Sequence, residues 1–211
     1  MAVITGNRWE PKFFYIEQLK GSNMAQGIIL AAGLSSRAQT NKMLLMFNGK
    51  TMIQETIDGM KPFVSHIFVV TGHYNQEIVD LLSDQQNLTC VENKSYMHGM
   101  FSSILVGAKL TSEDFFIIPG DCPFVEPTTY EKLLRGRLDI RIPSYQGRKG
   151  HPIFISKNLK DALIRESLDS NLRDFRNKYE YQVIDTEDPH ILIDIDTPSD
   201  YLEIKRKFGK D

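Results

Sequence analysis

Apolar segments of strand length alternate with segments of helical periodicity along most of this chain. In its earlier part the pattern predicts the strands Gly27–Ala31, His66–Val70, Leu88–Val91 and Phe115–Ile118 and the helices Thr51–Met60, Gln76–Leu82, Phe101–Leu110 and Thr128–Leu134. In its later part it predicts the strands Asp139–Ile142, His151–Ile155, Gln182–Ile184 and Ile191–Ile195, the helices Lys157–Arg165 and Leu172–Asn177, and a last helix from Thr197-Pro198-Ser199. Strands separated by helices indicate βαβ units. We therefore expect one α/β domain with a mostly parallel, twisted, Rossmann-like sheet and helices on both faces.

The composition fits one domain with a hydrophobic core, because 41% of the 211 residues are hydrophobic and 25% are charged. A net charge of -2 argues against a general nucleic-acid binder or a binder of anionic membranes. No apolar run approaches the roughly 18 residues that a membrane span needs. The two cysteines, Cys90 and Cys122, form no C-x-x-C pair, so we expect a reducing cytoplasm and no zinc framework.

Residues 1–23 differ from the rest, and we treat residues 24–211 as the folded domain. Charged residues interrupt the early segment, which excludes a signal peptide, whereas its aromatic residues could dock on another surface. Met24 stands directly before the first predicted strand. A docking extension, an added cloning segment and an alternative start site all remain open.

The segment from Ile28 to Lys42 joins an apolar strand to a loop that contains Gly33, Arg37 and Lys42. Small residues let the backbone approach a ligand closely, and free N–H groups with two cations can hold a polyphosphate such as a nucleoside triphosphate. The segment has neither a G-x-G-x-x-G fingerprint nor a Walker loop. An ordinary turn with solvated charges is the alternative, and the crowding of these residues into one loop favours the phosphate site.

Carboxylates follow two of the predicted strands. Asp121 comes directly after Phe115–Ile118 and its following Pro-Gly, while Asp194 and Asp196 share one side of the last predicted strand. Ligands of open α/β sheets bind at the carboxyl ends of the strands, so Asp121 and Asp196 can meet there and hold Mg²⁺ against phosphates. Closing a turn, for Asp121, and capping the last helix, for Asp196, are the alternatives.

Two further segments carry polar groups at predicted strand ends or turns. Gly99, Ser102 and Ser103 stand at a predicted helix start, where an anion or a nucleobase edge can bind. The turn Gly147–Pro152 contains Arg148 and Lys149, which can receive a second, phosphorylated substrate, and an exposed hairpin tip is an equal alternative. No G-x-S-x-G or H-E-x-x-H motif supports a hydrolase or a zinc protease.

These segments together resemble a known family. The run Leu30-Ala-Ala-Gly-Leu-Ser-Ser-Arg37, followed by Lys42, resembles the L-A-A-G-x-S-S-R-x-G-x-x-K signature of nucleotidyltransferases with a glycosyltransferase-A-like fold. Molybdenum cofactor cytidylyltransferases have segments similar to His98-Gly-Met-Phe-Ser-Ser103, Gly120-Asp-Cys-Pro123, Gly150-His-Pro152 and Asp194-Ile-Asp-Thr-Pro198. The resemblance covers Ala25 to about Phe208. Three places depart from the family pattern: Ala38-Gln39 stands for Met-Gly, Asn41 for proline and Cys122 for glutamine.

The resemblance implies transfer of CMP from CTP to the terminal phosphate of molybdopterin carrying molybdenum, with release of pyrophosphate. It assigns catalysis to Lys42, Arg37 and Asp121, and Mg²⁺ to Asp121 and Asp196 with Asp194 as a helper. It assigns the nucleotide to Leu30, Ala31, Ala32, Gly33, Ser35, Arg37, Lys42, Gly99, Ser102 and Ser103, and the acceptor to Arg148, Lys149 and His151. One alternative is another donor or acceptor, such as GTP or a sugar phosphate. The other is a non-catalytic chaperone that binds nucleotide or cofactor and hands molybdopterin to a target enzyme during its maturation.

Overall fold

The computed structural model describes residues 24–33, 41–47 and 49–208, and within them ten strands and seven α-helices follow one another. The strands are β1 (Ala25–Ala31), β2 (Met46–Phe47), β3 (Lys50–Thr51), β4 (Val64–Thr71), β5 (Leu88–Glu92), β6 (Phe115–Pro119), β7 (Ile140–Tyr145), β8 (Arg148–Lys149), β9 (Ile153–Ile155) and β10 (Gln182–Asp185). The α-helices are α1 (Met52–Met60), α2 (Asn75–Leu82), α3 (Met100–Leu110), α4 (Pro127–Leu134), α5 (Lys160–Ile164), α6 (Leu172–Arg176) and α7 (Pro198–Phe208). The expectations for residues 1–23, Ser35, Arg37 and Ala38-Gln39 lie outside the described residues.

The main sheet has the strand order β10-β7-β9-β6-β1-β4-β5, and β8 pairs with β7. β1 is parallel to both of its neighbours, β4 and β6, and β5 is parallel to β4. β9 runs antiparallel between β6 and β7, and β10 is parallel to β7. The predicted α/β architecture with a mostly parallel sheet is therefore confirmed, with two reversed strands, β8 and β9, that follow β7.

Alternate residues of the central strands face two different helix layers. On β1, Ile29 packs in a core cluster with residues of α1, α2 and α4, whereas Ile28 and Leu30 pack in a second cluster with residues of α3, α5 and α6. Because both faces are covered, β1 is an almost continuous apolar run, as buried parallel strands usually are. Helices on both faces are thus confirmed. None of the helices in the described ranges is long and apolar enough to cross a membrane.

The prediction of a strand over Ile191–Ile195 is wrong. Pro189–Leu192 forms a 3-10 helix whose first turn is capped by Asp188, which accepts a hydrogen bond from the backbone N–H of His190. Pro189 stands at the start of this helix, where its fixed φ and missing N–H are tolerated, and the helix takes up Ile191 and Leu192. Similarly, β9 begins at Ile153 and not at His151, because Pro152 follows His151. The pattern also missed the short hairpin of β2 and β3.

Asp188 fixes the chain that leads into the last helix. Its Oδ2 accepts hydrogen bonds from the Glu126 backbone N–H at 2.8 Å and the Thr129 hydroxyl at 2.9 Å, at the start of α4. Its Oδ1 accepts from His190 Nδ1 at 2.7 Å. Burial alone would raise the pKa of Asp188, but the hydrogen bonds from His190, Glu126 and Thr129 outweigh it and lower that pKa. The segment after Asp188 therefore starts from a fixed point.

Candidate active site

Two adjoining cavities open beyond the carboxyl ends of β1 and β6. The first has a volume of about 630 Å³ and the second about 550 Å³. The residues that line both cavities are Lys42, Met100, Pro119 and Asp121. This is the edge of the sheet at which the sequence predicted a ligand, and the shared wall means that molecules in the two cavities would meet beside Lys42 and Asp121.

Asp121 is held in place by its preceding residues. Gly120 donates its backbone N–H to the carbonyl of Leu30 at 2.9 Å, which ties it to the end of β1. The Thr56 hydroxyl of α1 donates to the Gly120 carbonyl at 3.0 Å. Asp121 itself is buried, and its carboxylate has little freedom to move.

Lys42, also in the shared wall, begins a short 3-10 helix, Lys42–Leu44. The Asn41 side chain caps this helix by accepting from the Met43 backbone N–H at 3.2 Å, and it donates to Glu77 of α2 at 3.1 Å. The Asn41 amide thus makes two hydrogen bonds, one within the cap and one to α2. The position of Lys42 is therefore set by its neighbour and by α2.

The ammonium group of Lys42 lies among three carboxylates. It forms an ion pair with Asp121, lies 3.0 Å from Oδ1 of Asp196 and 4.0 Å from Oδ1 of Asp194. Burial would lower the pKa of Lys42, but Asp121 and Asp196 outweigh burial and raise it, so the side chain is charged at neutral pH. Burial and then the charge of Asp121 raise the pKa of Asp194 to about 6. Negative charge is thus concentrated at this point.

The same three carboxylates fit a divalent cation. Oxygen atoms of Asp121, Asp194 and Asp196 all lie within 4.8 Å of one another. An all-oxygen, all-carboxylate set suits hard cations such as Mg²⁺ or Mn²⁺ and does not suit a thiophilic metal. The adjacent Cys122 is buried, and burial raises the pKa of its thiol well above the usual value.

The first cavity contains many, but not all, of the predicted nucleotide residues. Leu30, Ala32, Gly33, Gly99 and Ser103 line it together with Lys42. The Ala31 side chain instead packs in the core cluster on the other face of the sheet. Ser102 is buried and does not line the cavity. Its hydroxyl donates to the Gly99 carbonyl at 2.8 Å and so fixes the loop that precedes α3. Ser35 and Arg37 lie outside the described residues, and the binding roles of this set stay predictions.

Sequence reasoning missed several residues of this cavity. Tyr96, Met97 and Met100 also line it, and the two methionine side chains are 71% and 59% exposed at its rim. Asn93 donates to the hydroxyls of Ser102 and Ser103 at 2.8 and 2.9 Å and so fixes both. The available signal was their position: all lie between β5 and the first turn of α3, at a predicted strand end.

The second cavity contains the predicted acceptor residues. Arg148, Lys149 and His151 line it on one side, and Asp194 and Asp196 line it on the other. Gly150 packs against the backbone of Ile191, where an added Cβ would lie 2.1 Å from the carbonyl oxygen. The His151 N–H donates to that same carbonyl at 3.0 Å. The β7–β9 connection and the carboxylate-bearing segment are therefore held directly against each other.

The His151 side chain is enclosed, and one of its two ring nitrogens has no hydrogen-bond partner among the described residues. Its Nδ1 is buried and has no hydrogen-bond partner among the residues that the structure describes. Burial lowers the pKa of His151 to about 4, against a weak opposing effect of Asp121, so the ring is neutral at physiological pH. A neutral imidazole in this wall can offer one donor or one acceptor to a bound molecule.

Comparison with known proteins agrees with this geometry. Residues 27–183 match the MobA-like NTP transferase domain family. The chain is 31% identical over 183 residues to the molybdenum cofactor cytidylyltransferase of Escherichia coli, which covers 86% of this chain and 95% of that protein. It is 25% identical over 203 residues to a probable molybdenum cofactor guanylyltransferase of Natranaerobius thermophilus, covering 87% of this chain and 96% of that protein. A solved nucleotidyl transferase from Methanothermobacter thermautotroptrophicus superimposes with a TM-score of 0.75 at 24% identity, covering 89% of this chain and 98% of that one.

Proposed function

This chain belongs to the MobA-like NTP transferase family and is a nucleotidyltransferase, and we propose that it transfers CMP from CTP to the terminal phosphate of molybdopterin carrying molybdenum. One observation carries this proposal. Two cavities share a wall that contains Lys42 and Asp121, so a nucleotide and a second phosphorylated molecule can meet there. Similarity to a cytidylyltransferase over most of the chain supports the choice of CTP.

The reaction needs positioning and charge neutralisation more than a base. An oxygen of the acceptor phosphate attacks the α-phosphorus of CTP, the bond from that phosphorus to the bridging oxygen breaks, and pyrophosphate leaves with the electron pair. The attacking oxygen is already anionic, so no proton has to be removed. Lys42 neutralises charge that develops on the leaving pyrophosphate, and the Gly33 backbone and Arg37 bind the triphosphate.

We assign Asp121 and Asp196, with Asp194 as a helper, to Mg²⁺. When bound, Mg²⁺ would supply positive charge to the triphosphate. Lys42 already contacts the same carboxylates, so these residues hold positive charge in place beside the phosphates. On the acceptor side, Arg148, Lys149 and His151 bind the acceptor in the second cavity, so that its phosphate lies at the shared wall.

We further propose that the enzyme acts in the cytoplasm, because Cys90 and Cys122 are free thiols and a reducing compartment keeps them so.

Pyrophosphate release tests the function. Purified protein with Mg²⁺ and molybdenum-loaded molybdopterin should release pyrophosphate fastest with CTP and more slowly with GTP, ATP or UTP. Faster turnover with GTP would contradict the choice of CTP and would make GTP the proposed nucleotide donor. Tight binding of CTP with no pyrophosphate release from any of the four nucleotides would contradict the enzymatic proposal and favour a cofactor-handing chaperone.

An active-site variant tests the residue assignment. Asp121→Asn should lower kcat by about 100-fold or more, because a positioned charge of the active site is lost while the side-chain shape is kept. The exposed Asp84 lies in the turn after α2, away from both cavities, so Asp84→Asn removes the same charge and should keep normal turnover. Near-normal turnover of Asp121→Asn would remove Asp121 from the mechanism.

A further inference from the structure

A third cavity, of about 440 Å³, adjoins the second one on the side away from Lys42. We propose that it is an oxyanion subsite, in which Arg173, Arg176 and Lys149 bind a second anionic group at the far end of the acceptor. The proposal rests on the proposed function for the identity of the acceptor. The oxygen-bearing molybdenum end of that acceptor is a group of the required class.

The charge of the lining points to an anion. Lys149, Arg173 and Arg176 all line the third cavity, and no carboxylate does so among the described residues. Neither arginine forms an ion pair within the described ranges, although other basic residues such as Lys157 and Lys178 pair with nearby glutamates. The Arg176 guanidinium donates a 3.5 Å hydrogen bond to the side chain of the neighbouring Asn177. A guanidinium fork presents several donors in one plane and matches an oxyanion well.

Two of the three cationic side chains, those of Lys149 and Arg176, contact Tyr181. Lys149 donates to the Tyr181 hydroxyl at 2.8 Å and lies 4.6 Å from the ring centroid, while the Arg176 guanidinium lies 5.3 Å from the same centroid. The hydrogen bond and charge of Lys149, with the charge of Arg176, lower the pKa of Tyr181, which reports the positive potential here. Residues three apart on a helix lie on the same face, so α6 presents Arg173 and Arg176 together.

The third cavity continues the acceptor side of the active site. Lys149, Gly150 and His151 line both the second and the third cavity, so one elongated molecule can extend past them. His151, whose buried Nδ1 has no partner among the described residues, lines both cavities. An acceptor with its phosphate beside Lys42 would pass His151 and reach the two arginines with its other end.

Kinetics of a double variant test the subsite. In Arg173→Gln with Arg176→Gln, the KM for the acceptor should rise roughly tenfold or more, since charge-assisted hydrogen bonds are lost. The KM for CTP should stay within about twofold, because the nucleotide lies in the other cavity. Arg165→Gln, an exposed arginine at the end of α5, removes a positive charge outside the cavity and should change neither value. An unchanged acceptor KM in the double variant would overturn the proposal.

Binding of molybdate alone tests the subsite without any turnover. At constant ionic strength, molybdate should raise the Tm of the wild type and of Arg165→Gln in a saturable way, and the double variant should lose most of this rise. A saturable rise that survives in the double variant, or none in the wild type, would overturn the subsite. If molybdate binds in an arginine-dependent way but pyrophosphate is never released, the transfer proposal fails and the oxyanion subsite stands.

Discussion

At the scale of single residues, Lys42 shows how surroundings decide a role. A lysine in a loop is usually solvated, and only its place after an apolar strand favoured a function in the sequence. In the structure its side chain is 14% exposed and contacts the carboxylates of Asp121 and Asp196. Opposite charges at this degree of burial stabilise each other only when both are present, because a single remaining charge is poorly solvated.

Replacement of Lys42 by methionine should separate its two roles. We expect kcat/KM to fall by about 100-fold or more, because charge on the leaving group is no longer neutralised. We also expect the metal-free variant to lose about 1–3 kcal/mol of unfolding free energy, since three carboxylates then repel one another. Thermal melts in EDTA and in Mg²⁺ measure this, and Mg²⁺ should restore most of the loss.

Lys50→Met is the matched control for this experiment, because Lys50 pairs with Asp58 on the surface. It should retain activity and show no extra stabilisation by Mg²⁺. A Lys42→Met enzyme with normal kcat/KM would contradict the role of Lys42.

His151 should make stability depend on pH in a defined window. Burial lowers its pKa to about 4 from 6.5, so the unfolded chain binds a proton between these values that the folded protein does not. The unfolded state is therefore favoured as pH falls from 6.5 to 4, and the wild type should lose about 1–3 kcal/mol relative to His151→Gln. Melting curves of both proteins between pH 4 and pH 8 measure this difference. Parallel curves would show that His151 is not the responsible group.

At the scale of elements, the segment after Asp188 was predicted as a strand and is instead a 3-10 helix followed by unpaired chain. It still brings Asp194 and Asp196 to the same ammonium group, as the expected alternation required. Fixed contacts replace the missing sheet hydrogen bonds. Asp188 holds the beginning of the segment, Gly150 packs against Ile191, and Ile195 packs with Phe47 in a small core cluster.

Gly150→Ala should disturb activity more than stability. The added Cβ would lie 2.1 Å from the Ile191 carbonyl oxygen, and since this is a backbone atom, the segment with Asp194 must shift. A displacement near 1 Å lowers turnover by about 100-fold when it misplaces groups at the reacting centre. Steady-state kinetics and thermal melts of the same preparation measure both effects.

Gly49→Ala provides the control for Gly150→Ala. Gly49 has a φ of +81° in the β2–β3 hairpin, so alanine there is under backbone strain. An added Cβ would contact no atom within 4 Å. We expect it to lose about 1 kcal/mol of stability with normal turnover. Equal kinetics for the two variants would show that the contact of Gly150 with Ile191 does not position the carboxylates.

At the scale of the whole molecule, the site exists only because distant segments meet at one edge of the sheet. Lys42 and Asp196 are 154 positions apart, and Asp121 reaches them from the end of β6. Ligands that connect these segments should therefore stabilise the entire domain and not one loop.

CTP with Mg²⁺ at about 100 times its Kd should raise the Tm by roughly 5–10 °C, as linkage and the usual size of the melting entropy predict. EDTA should remove most of this shift, and Asp196→Asn should reduce it, because the metal-dependent part needs that carboxylate. Asp84→Asn should behave as the wild type. A shift of equal size in EDTA would contradict the metal assignment.

The sequence by itself determined the alternation of strands and helices and the polar residues that follow each strand. Periodicity and the position of a residue after a strand are local properties, which explains why Gly33, Lys42 and Asp121 could be chosen without a structure. The carboxyl ends of parallel strands share one edge, so their convergence could also be predicted.

Tertiary structure alone decided the remaining features. The place of β9 between β6 and β7 and the approach of Arg173 and Arg176 to Lys149 join parts of the chain that no local pattern connects. Such contacts depend on how whole elements pack, and packing is set by the summed burial of many side chains. For that reason part of the lining of the first cavity could be predicted from the segment after β1, whereas the lining of the third cavity needed the folded chain.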